Sequence, residues 1–126
     1  MNEKIFILIA MIFCHIIDDY RLQGILASMK QHNWWRRQED YNDKYKHDYI
    51  MALFMHSFSW AFMIMIVPVL LAETLHGWYL IIFIFNTLMH MLVDDMKANR
   101  KMINLVQDQC IHIFQIVMTW ACMMFL

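Results

Sequence analysis

Four apolar runs alternate with polar segments along the chain. They cover residues 5–17, 49–72, 78–93 and 110–126. A helix that crosses a membrane needs about 20 mostly apolar residues, and only the run 49–72 supplies that number by itself. The other three reach this length if their polar ends, 18–27, 94–98 and 103–109, belong to the same helices.

The number of apolar runs favours a membrane protein over a soluble one. A soluble domain needs an outer layer to cover its buried helices, and a chain of 126 residues has little left for that layer. The composition agrees, because 61% of the residues are apolar and the chain has only 2 Gly and 1 Pro. The pattern therefore predicts an all-α fold, a four-helix transmembrane bundle, with residues 1–126 as a single integral membrane domain.

The basic residues set the orientation of the predicted bundle. Lys and Arg cluster in the segments 28–46 and 97–102, whereas the connection 73–77 has neither. Because cytoplasmic loops carry an excess of Lys and Arg, we expect both basic loops in the cytoplasm and both termini outside. Four aromatic residues in the first loop fit either an interfacial belt, which is their commoner use, or a lid over a lipid-like substrate: Trp34, Trp35, Tyr41 and Tyr45.

The net charge and the spacing of the cysteines argue against a nucleic-acid-binding protein and against a protein stabilised by disulfides. The net charge of −1 gives no electrostatic footprint for a nucleic acid. Cys14, Cys110 and Cys122 form no CxxC pair, so they indicate neither a disulfide framework nor a thiolate metal site.

Histidine and aspartate recur at helical spacing near the ends of the predicted spans. Three His–Asp pairs have a separation of four residues: His15/Asp19, His90/Asp94 and, in reverse order, Asp108/His112. Residues four apart share one face of a helix, so each pair offers an imidazole and a carboxylate to one point. The second span contributes His56, with His47 at its edge as the alternative.

The depths predicted for these residues in the membrane place them in one layer. Counted inward from the predicted cytoplasmic ends, the aspartates of the three pairs lie about 8 to 12 Å deep and the histidines about 12 to 18 Å deep. The reversed order in the last pair is what the antiparallel direction of the fourth span requires. The spacing therefore predicts one shared site near the cytoplasmic face.

A metal centre accounts for ionisable side chains at this depth. Each costs about 2.5 to 3.5 kcal/mol to place in a membrane, whereas structural zinc binding contributes about 10 to 16 kcal/mol in peptides. Four imidazoles and three carboxylates exceed the ligands of one tetrahedral ion and suit two ions of Zn, Mn, Fe, Co or Ni. The predicted ligands are His15, Asp19, His56, His90, Asp94, Asp108 and His112. The alternative is a network of His–Asp hydrogen bonds without metal.

The order of these residues resembles that of a known family. The matching motifs are HxxxDxxxQ (His15, Asp19, Gln23) followed by Lys30, then His56, HxxxDxxK (His90, Asp94, Lys97) and DQxxH (Asp108, Gln109, His112). Together they are similar to a family of small bacterial and phage integral membrane proteins catalogued as a domain of unknown function. The resemblance covers residues from about 10 to 120. It implies a multi-span helical protein of the bacterial inner membrane and supplies no established activity.

The predicted centre favours a membrane-embedded, metal-dependent hydrolase acting on a lipid or lipid-linked substrate near the cytoplasmic face. A metal ion lowers the pKa of a bound water toward neutrality, and Asp18 or Asp95 could act as the base. Gln23 and Gln109, or the same two aspartates, would orient ligands. Four basic residues at the cytoplasmic mouth could hold an anionic group: Arg21, Lys30, Lys97 and Arg100.

Two other function classes stay open from the sequence. The same histidines and aspartates suit a transporter or channel subunit for divalent cations or protons. Four spans are few for one transporter chain, so this hypothesis requires a homo-oligomer. A non-catalytic phage membrane protein is the third possibility.

Overall fold

The structure is a computed structural model that describes residues 3–74 and 76–126. Its regular elements are helical throughout this described part, which confirms the all-α prediction. The α-helices are α1 Glu3–Ile17, α2 Leu26–Met29, α3 His32–Arg36, α4 Asp48–Leu70, α5 Trp78–Ala98 and α6 Leu105–Phe125. The scarcity of Gly and Pro leaves the long apolar runs free to stay helical.

The four long helices α1, α4, α5 and α6 pack side by side. α4 packs against α1 and α5, and α6 packs against the same two neighbours. Successive long helices run in opposite directions, as the contacts at their ends require. The Trp120 Nε1 atom at the end of α6 donates a hydrogen bond to the Lys4 carbonyl at the start of α1, at 2.7 Å. The polar ends of all four helices therefore lie together at the opposite end of the bundle.

The first long helix changes its winding where it becomes polar. Asp18–Leu22 form a π-helical turn that continues α1, and Gly24, with φ of 51°, ends it in a left-handed conformation that favours glycine. A π turn holds an extra residue, and such turns are frequent at functional sites. Here Asp18 and Asp19, although adjacent in sequence, are both buried inside the bundle.

The structure agrees better with the polar extensions that were predicted for the third and fourth spans than with the one predicted for the first. α5 continues through the segment 94–98 to Ala98. α6 begins at Leu105, behind a capping box in which Asn104 and Gln107 exchange hydrogen bonds. The extension of the first span over 18–27 stops at Leu22, because Gly24 breaks the helix before α2 begins.

The basic loop between α1 and α4 is folded onto the bundle. It contains α2, α3 and a 3-10 turn at Asp43–Tyr45, and α2 and α3 pack against α4. The side chain of Asn99, just after α5, donates to the Lys30 carbonyl at 3.0 Å and accepts from the His32 amide at 2.7 Å. These two hydrogen bonds fix the middle of the loop over the polar end of the bundle.

Polarity is inverted relative to a soluble protein. Large apolar side chains such as Phe13, Ile81 and Phe114 are exposed on the outer surface. The interior contains an apolar core around Met11, Trp60, Ile64 and Ile116 and, beside it, many buried polar side chains. Two segments, Asp43–Leu70 and Trp78–Ala98, are long and apolar enough to cross a membrane, and an 18-residue window within each has a mean hydropathy of 2.0 and 1.4, respectively.

Candidate metal centre

Four histidines and four aspartates converge in the interior of the bundle, and we call this set the His/Asp cluster. Its members are His15, Asp18, Asp19, His56, His90, Asp94, Asp108 and His112, none more than 8% exposed. Each of the four long helices contributes one histidine, and the aspartates come from the π turn, α5 and α6. The i, i+4 spacing within the helices explains why imidazole and carboxylate point to the same side.

One group of potential ligands consists of Asp19, His56 and His90, and Asp94 lies beside it. The Nε2 atoms of His56 and His90 are 3.2 Å apart. Asp19 Oδ1 and Asp94 Oδ2 are each 3.4 Å from His56 Nε2. They lie 3.9 and 3.8 Å from His90 Nε2. Ligands at 2.0 to 2.2 Å from a tetrahedral ion are about 3.3 to 3.6 Å from one another, so small movements of His90 would complete the site.

A second group of potential ligands lies directly beside the first and shares His90 with it. It consists of His90, Asp94 and His112. His112 Nε2 lies 3.3 Å from Asp94 Oδ1 and 3.3 Å from Asp108 Oδ1. The two oxygens of Asp94 thus face different histidines, which is the position of a carboxylate that bridges two ions. The cluster therefore contains two buried His/Asp groups that could hold metal ions.

Aromatic stacking fixes the central imidazole. The His90 ring lies between Trp60 and His112, with centroid distances of 4.1 Å on both sides and interplanar angles of 22° and 27°. A ring held between two others can rotate little about its side-chain bonds. His90 Nε2 is therefore held toward His56 and the two carboxylates before any ligand binds.

Asp18 lies behind His56. Its Oδ2 atom is 3.7 Å from His56 Nδ1, and its Oδ1 atom accepts a hydrogen bond from Ser59 Oγ at 2.6 Å. The other nitrogen of His56, Nε2, faces the first ligand group. A carboxylate behind a ligating imidazole is the usual arrangement that orients the ring and raises its basicity. This position suits Asp18 for orienting His56.

Two lysines neutralise part of the cluster's negative charge. Lys30 Nζ is 2.6 Å from Asp94 Oδ2, and Lys97 Nζ is 2.7 Å from Asp108 Oδ2. Their side chains are 12% and 33% exposed, so both ion pairs are partly buried at the polar end of the bundle. Four carboxylates and two ammonium groups leave two negative charges when the histidines are neutral. A divalent cation would balance that remainder.

Several buried polar atoms of the cluster lack a hydrogen-bond partner in the described part of the chain. They are Asp18 Oδ2, Asp19 Oδ1, Asp108 Oδ1 and the Nδ1 atoms of His56, His90 and His112. Leaving a buried polar atom unpaired costs about 1 to 3 kcal/mol, and such atoms are few in native proteins. Two of them, Asp19 Oδ1 and Asp108 Oδ1, face histidine nitrogens rather than donors that satisfy them.

Asp108 lies outside both groups of potential ligands, and so does another predicted ligand, His15. Its Nδ1 accepts a hydrogen bond from Trp60 Nε1 at 2.7 Å, and its Nε2 is 3.0 Å from Gln109 Oε1. Both ring nitrogens therefore have partners within the protein. Gln109 in turn donates to Asp108 Oδ2 at 3.0 Å and to Asp19 Oδ2 at 3.4 Å.

The remaining predicted residues lie nearer the surface. Asp95 accepts hydrogen bonds from Asn99 and from Arg100, whose side chain is exposed. Arg21 is exposed on the π turn, and Gln23 donates to the Asp19 carbonyl. His47 is exposed at the start of α4, so the α4 histidine in the cluster is His56.

Two functional side chains escaped the sequence analysis. Ser59 and Trp60 lie three and four residues after His56, and both touch the cluster through hydrogen bonds to Asp18 and His15. Helical spacing from His56 would have found them. Neither is ionisable, so a search for charged residues in the spans passes over both.

Comparison with known proteins adds no family to this description. No family model, curated protein or solved structure matches the chain. The similarity of its motifs to the family of small membrane proteins of unknown function stays a prediction.

Proposed function

We propose that this chain is a membrane-embedded, metal-dependent hydrolase whose substrate is a lipid or lipid-linked ester, phosphate or amide. The observation that carries the proposal is the close approach of four buried donors, in which each carboxylate oxygen lies within 3.9 Å of both histidine nitrogens. Those donors are His56 Nε2, His90 Nε2, Asp19 Oδ1 and Asp94 Oδ2. Imidazole and carboxylate donors suit Zn, Mn, Fe, Co or Ni, and Asp94 would bridge two such ions.

The inverted polarity of the molecule supports a location within a lipid bilayer. Exposed apolar side chains cover the outside of the bundle, and a bilayer removes them from water. α1 with its π turn spans Glu3 to Leu22, about 30 Å at 1.5 Å per residue, which equals the hydrocarbon thickness of about 30 Å. We therefore propose four spans in the bacterial inner membrane, with both termini outside and the basic loop in the cytoplasm.

Different residues around the centre would have different roles in the proposed reaction. A divalent ion in the first group would lower the pKa of a bound water and so supply a nucleophile near neutral pH. Lys30 and Lys97 would bind an anionic group of the substrate, since their partly exposed side chains place two positive charges beside the carboxylates of the cluster. Asp18 would hold His56 in orientation. The base role predicted for Asp95 has no support, because its oxygens accept hydrogen bonds from Asn99 and Arg100.

A surface groove supports a lipid as the substrate. It has a volume of about 640 Å³ and lies between the π turn and α6, lined mainly by apolar residues such as Tyr20, Ile113 and Val117. Gln109 also lines it, and its amide contacts Asp19 and Asp108. Pockets of about 300 to 1,000 Å³ accommodate typical small ligands. An acyl chain in this groove would bring its polar head to the cluster.

Metal analysis of the full chain tests the proposal first. The protein is purified in detergent, incubated with Zn²⁺, freed of excess ion and measured by inductively coupled plasma mass spectrometry. We expect about two ions per chain for a site of this type, and nearly none in a His56→Ala/His90→Ala variant. Thr119→Val, a buried substitution outside the cluster, is the matched control and should keep the wild-type content. Less than about half an ion per wild-type chain would remove the metal centre.

Activity and transport assays then separate the functions. A hydrolase should release free phosphate or fatty acid from lipid substrates in a chelator-sensitive way, and metal should restore the rate. Transport of divalent cations is the second candidate, because buried polar residues continue beyond the cluster at Asn86, Gln115 and Thr119. A transporter, which would work as a homo-oligomer, should carry the ion across liposomes that contain the purified protein.

A further inference from the structure

A chain of hydrogen bonds from Trp60 to two carboxylates has only one consistent direction. The Trp60 indole N–H can only donate, and it donates to His15 Nδ1 at 2.7 Å. In a neutral imidazole the other nitrogen then carries the proton. His15 therefore has its proton on Nε2, the atom that lies 3.0 Å from Gln109 Oε1.

The direction continues through Gln109. Because His15 Nε2 donates, the atom of Gln109 that faces it must be the carbonyl oxygen. The amide NH₂ group then points the other way, at 3.0 Å from Asp108 Oδ2 and 3.4 Å from Asp19 Oδ2. Ionised carboxylates only accept hydrogen bonds, so every step from the indole to the two aspartates pairs a donor with an acceptor.

The hydrogen bonds donated by Gln109, at the end of this series, determine which carboxylate oxygens remain available to a metal ion. Gln109 occupies the Oδ2 atoms of Asp19 and Asp108, and the Oδ1 atoms of the same residues have no hydrogen-bond partner in the described residues. Asp19 Oδ1 lies 3.4 Å from His56 Nε2, and Asp108 Oδ1 lies 3.3 Å from His112 Nε2. Gln109, joined by Lys97 at Asp108 Oδ2, thus holds one oxygen of each carboxylate. Asp19 Oδ2 lies on the side of His15, 3.6 Å from its Nδ1 atom, and the two Oδ1 atoms are left facing His56 and His112.

We propose that Trp60, His15 and Gln109 form a positioning relay that selects the carboxylate oxygens offered to the metal ions, and that His15 is not itself a ligand. The inference rests on the proposed metal centre and specifies how its donors are oriented. The ligand set then consists of His56, His90, His112 and the aspartates that face them. The relay is assembled from three helices, so it also ties the register of α1, α4 and α6 to the geometry of the site.

Two substitutions at one position separate positioning from ligation. His15→Gln supplies a side-chain oxygen that can accept from Trp60 and an NH₂ group that can donate to Gln109, but it has no imidazole nitrogen that could bind a metal ion. His15→Leu has neither hydrogen-bonding group and no imidazole. We expect His15→Gln to bind Zn²⁺ within about threefold of the wild-type Kd, and His15→Leu to bind about 10- to 100-fold more weakly, as is typical when a partner of a metal ligand is lost.

A third variant keeps the test decisive if a buried substitution prevents folding. Gln109→Met is of similar length and only half-buried, and it should weaken Zn²⁺ binding about 10-fold or more by the same mechanism. Gln107→Met on the same helix is the matched control, because Gln107 is exposed and its side-chain hydrogen bond within the described residues is to the helix cap at Asn104. Replacing Zn²⁺ by Co²⁺ adds a spectroscopic readout, since its visible absorption should change in Gln109→Met and remain as in the wild type in Gln107→Met.

The outcomes distinguish this inference from the proposed function. If the wild-type protein binds no metal, the proposed function fails and the relay has nothing to position. If the wild type binds metal and His15→Gln loses it as completely as His56→Ala does, His15 is a ligand and the relay is refuted. If His15→Leu and Gln109→Met both bind Zn²⁺ as the wild type does, the oxygens need no positioning and the inference is overturned.

Discussion

The bundle contains two buried polar regions that differ in how their hydrogen bonds are arranged. One is the His/Asp cluster. The other, which we call the amide layer, consists of Asn86, Gln115 and Thr119 between α5 and α6. In the amide layer, Asn86 donates to Thr119 Oγ1 at 2.9 Å and its side-chain oxygen accepts from Gln115 at 2.9 Å. Gln115 also donates to the Asn86 carbonyl at 3.0 Å.

The difference between the regions separates a structural role from a binding role. The side chains of the amide layer are neutral and hydrogen-bonded to one another, although Gln115 Oε1 has no partner in the described residues. The layer can therefore fix helix positions without a ligand. The cluster keeps two negative charges when its histidines are neutral. It also contains two carboxylate oxygens, Asp19 Oδ1 and Asp108 Oδ1, that have no hydrogen-bond partner in the described residues and face histidine nitrogens. A neutral hydrogen-bonded network stabilises a fold, whereas a charged cluster of this kind could hold a cation.

The largest effect should come from placing a charge in the amide layer. Asn86→Asp changes one atom type, but no lysine neutralises that position in the described structure. An unpaired buried charge costs about 3 to 5 kcal/mol, so the variant should unfold at a much lower temperature or fail to fold. Asn86→Leu, which adds no charge, is the control, and thermal unfolding in detergent is the measurement. Equal stability of Asn86→Asp and wild type would show that charge is tolerated throughout the interior.

The opposite substitution, of an aspartate by an asparagine in the cluster, should abolish metal binding while the protein still folds. Asp94 belongs to the second ligand group and lies beside the first, and Asp94→Asn removes one of the unbalanced negative charges. The metal-free variant should unfold close to the wild-type temperature. At Zn²⁺ concentrations about 100 times Kd, wild type should gain about 2.7 kcal/mol, and the variant should gain almost none. Loss of the fold in the variant without metal would mean that Asp94 is chiefly structural.

Removing the carboxylate behind His56 should weaken the site without emptying it. Asp18→Asn should raise the Kd for Zn²⁺ about 10- to 100-fold, because the imidazole loses the group that orients it. The number of bound ions at saturation should not change. Asp95→Asn is the matched control in the second Asp-Asp pair, where the carboxylate contacts Arg100 instead. Competition titration with a chelator of known affinity measures the Kd for Zn²⁺ of both variants. An equal loss of affinity in Asp18→Asn and Asp95→Asn would contradict the role of Asp18.

The smallest effect should follow from trimming the amide layer. Thr119→Val removes the hydroxyl that Asn86 uses as donor and acceptor and keeps the volume of the side chain. Loss of such hydrogen bonds should lower the free energy of unfolding by about 1 kcal/mol. The Kd for Zn²⁺ should stay at the wild-type value, measured by the same titration. A change in metal affinity would show that the two layers are coupled and would weaken the distinction between them.

Much of the fold was predictable because its signals are local. Apolar runs and the scarcity of Gly and Pro predicted helices over the segments where α4, α5 and α6 lie, and the polar ends of α5 and α6 belong to those helices as expected. The π turn at Asp18–Leu22 was not predicted. Its winding depends on burying two consecutive aspartates against neighbouring helices, which no spacing rule for a regular helix includes.

The candidate site was predictable as a set of residues but not as a set of atoms. The i, i+4 spacing and the reversed order on α6 brought His56, His90, Asp94 and His112 into one layer, as the structure does. The separation of His15 from the ligand groups depends on Trp60, an uncharged residue on another helix. The position of Asp94 between two pairs of histidines could not be predicted from the sequence either, since it depends on the rotation of α5 between α4 and α6.

The sequence by itself determined where the long helical segments lie, which face of each helix is polar, and at what height along each helix the ionisable groups lie. These properties follow from the fixed rise and rotation of a helix, which act within one segment. Only the tertiary structure decided which nitrogen and which oxygen face each other, and which carboxylate is shared. Those choices depend on the register and rotation of one helix against the next, because packing across helices positions side chains to within fractions of an ångström, whereas helical spacing fixes only their side and height.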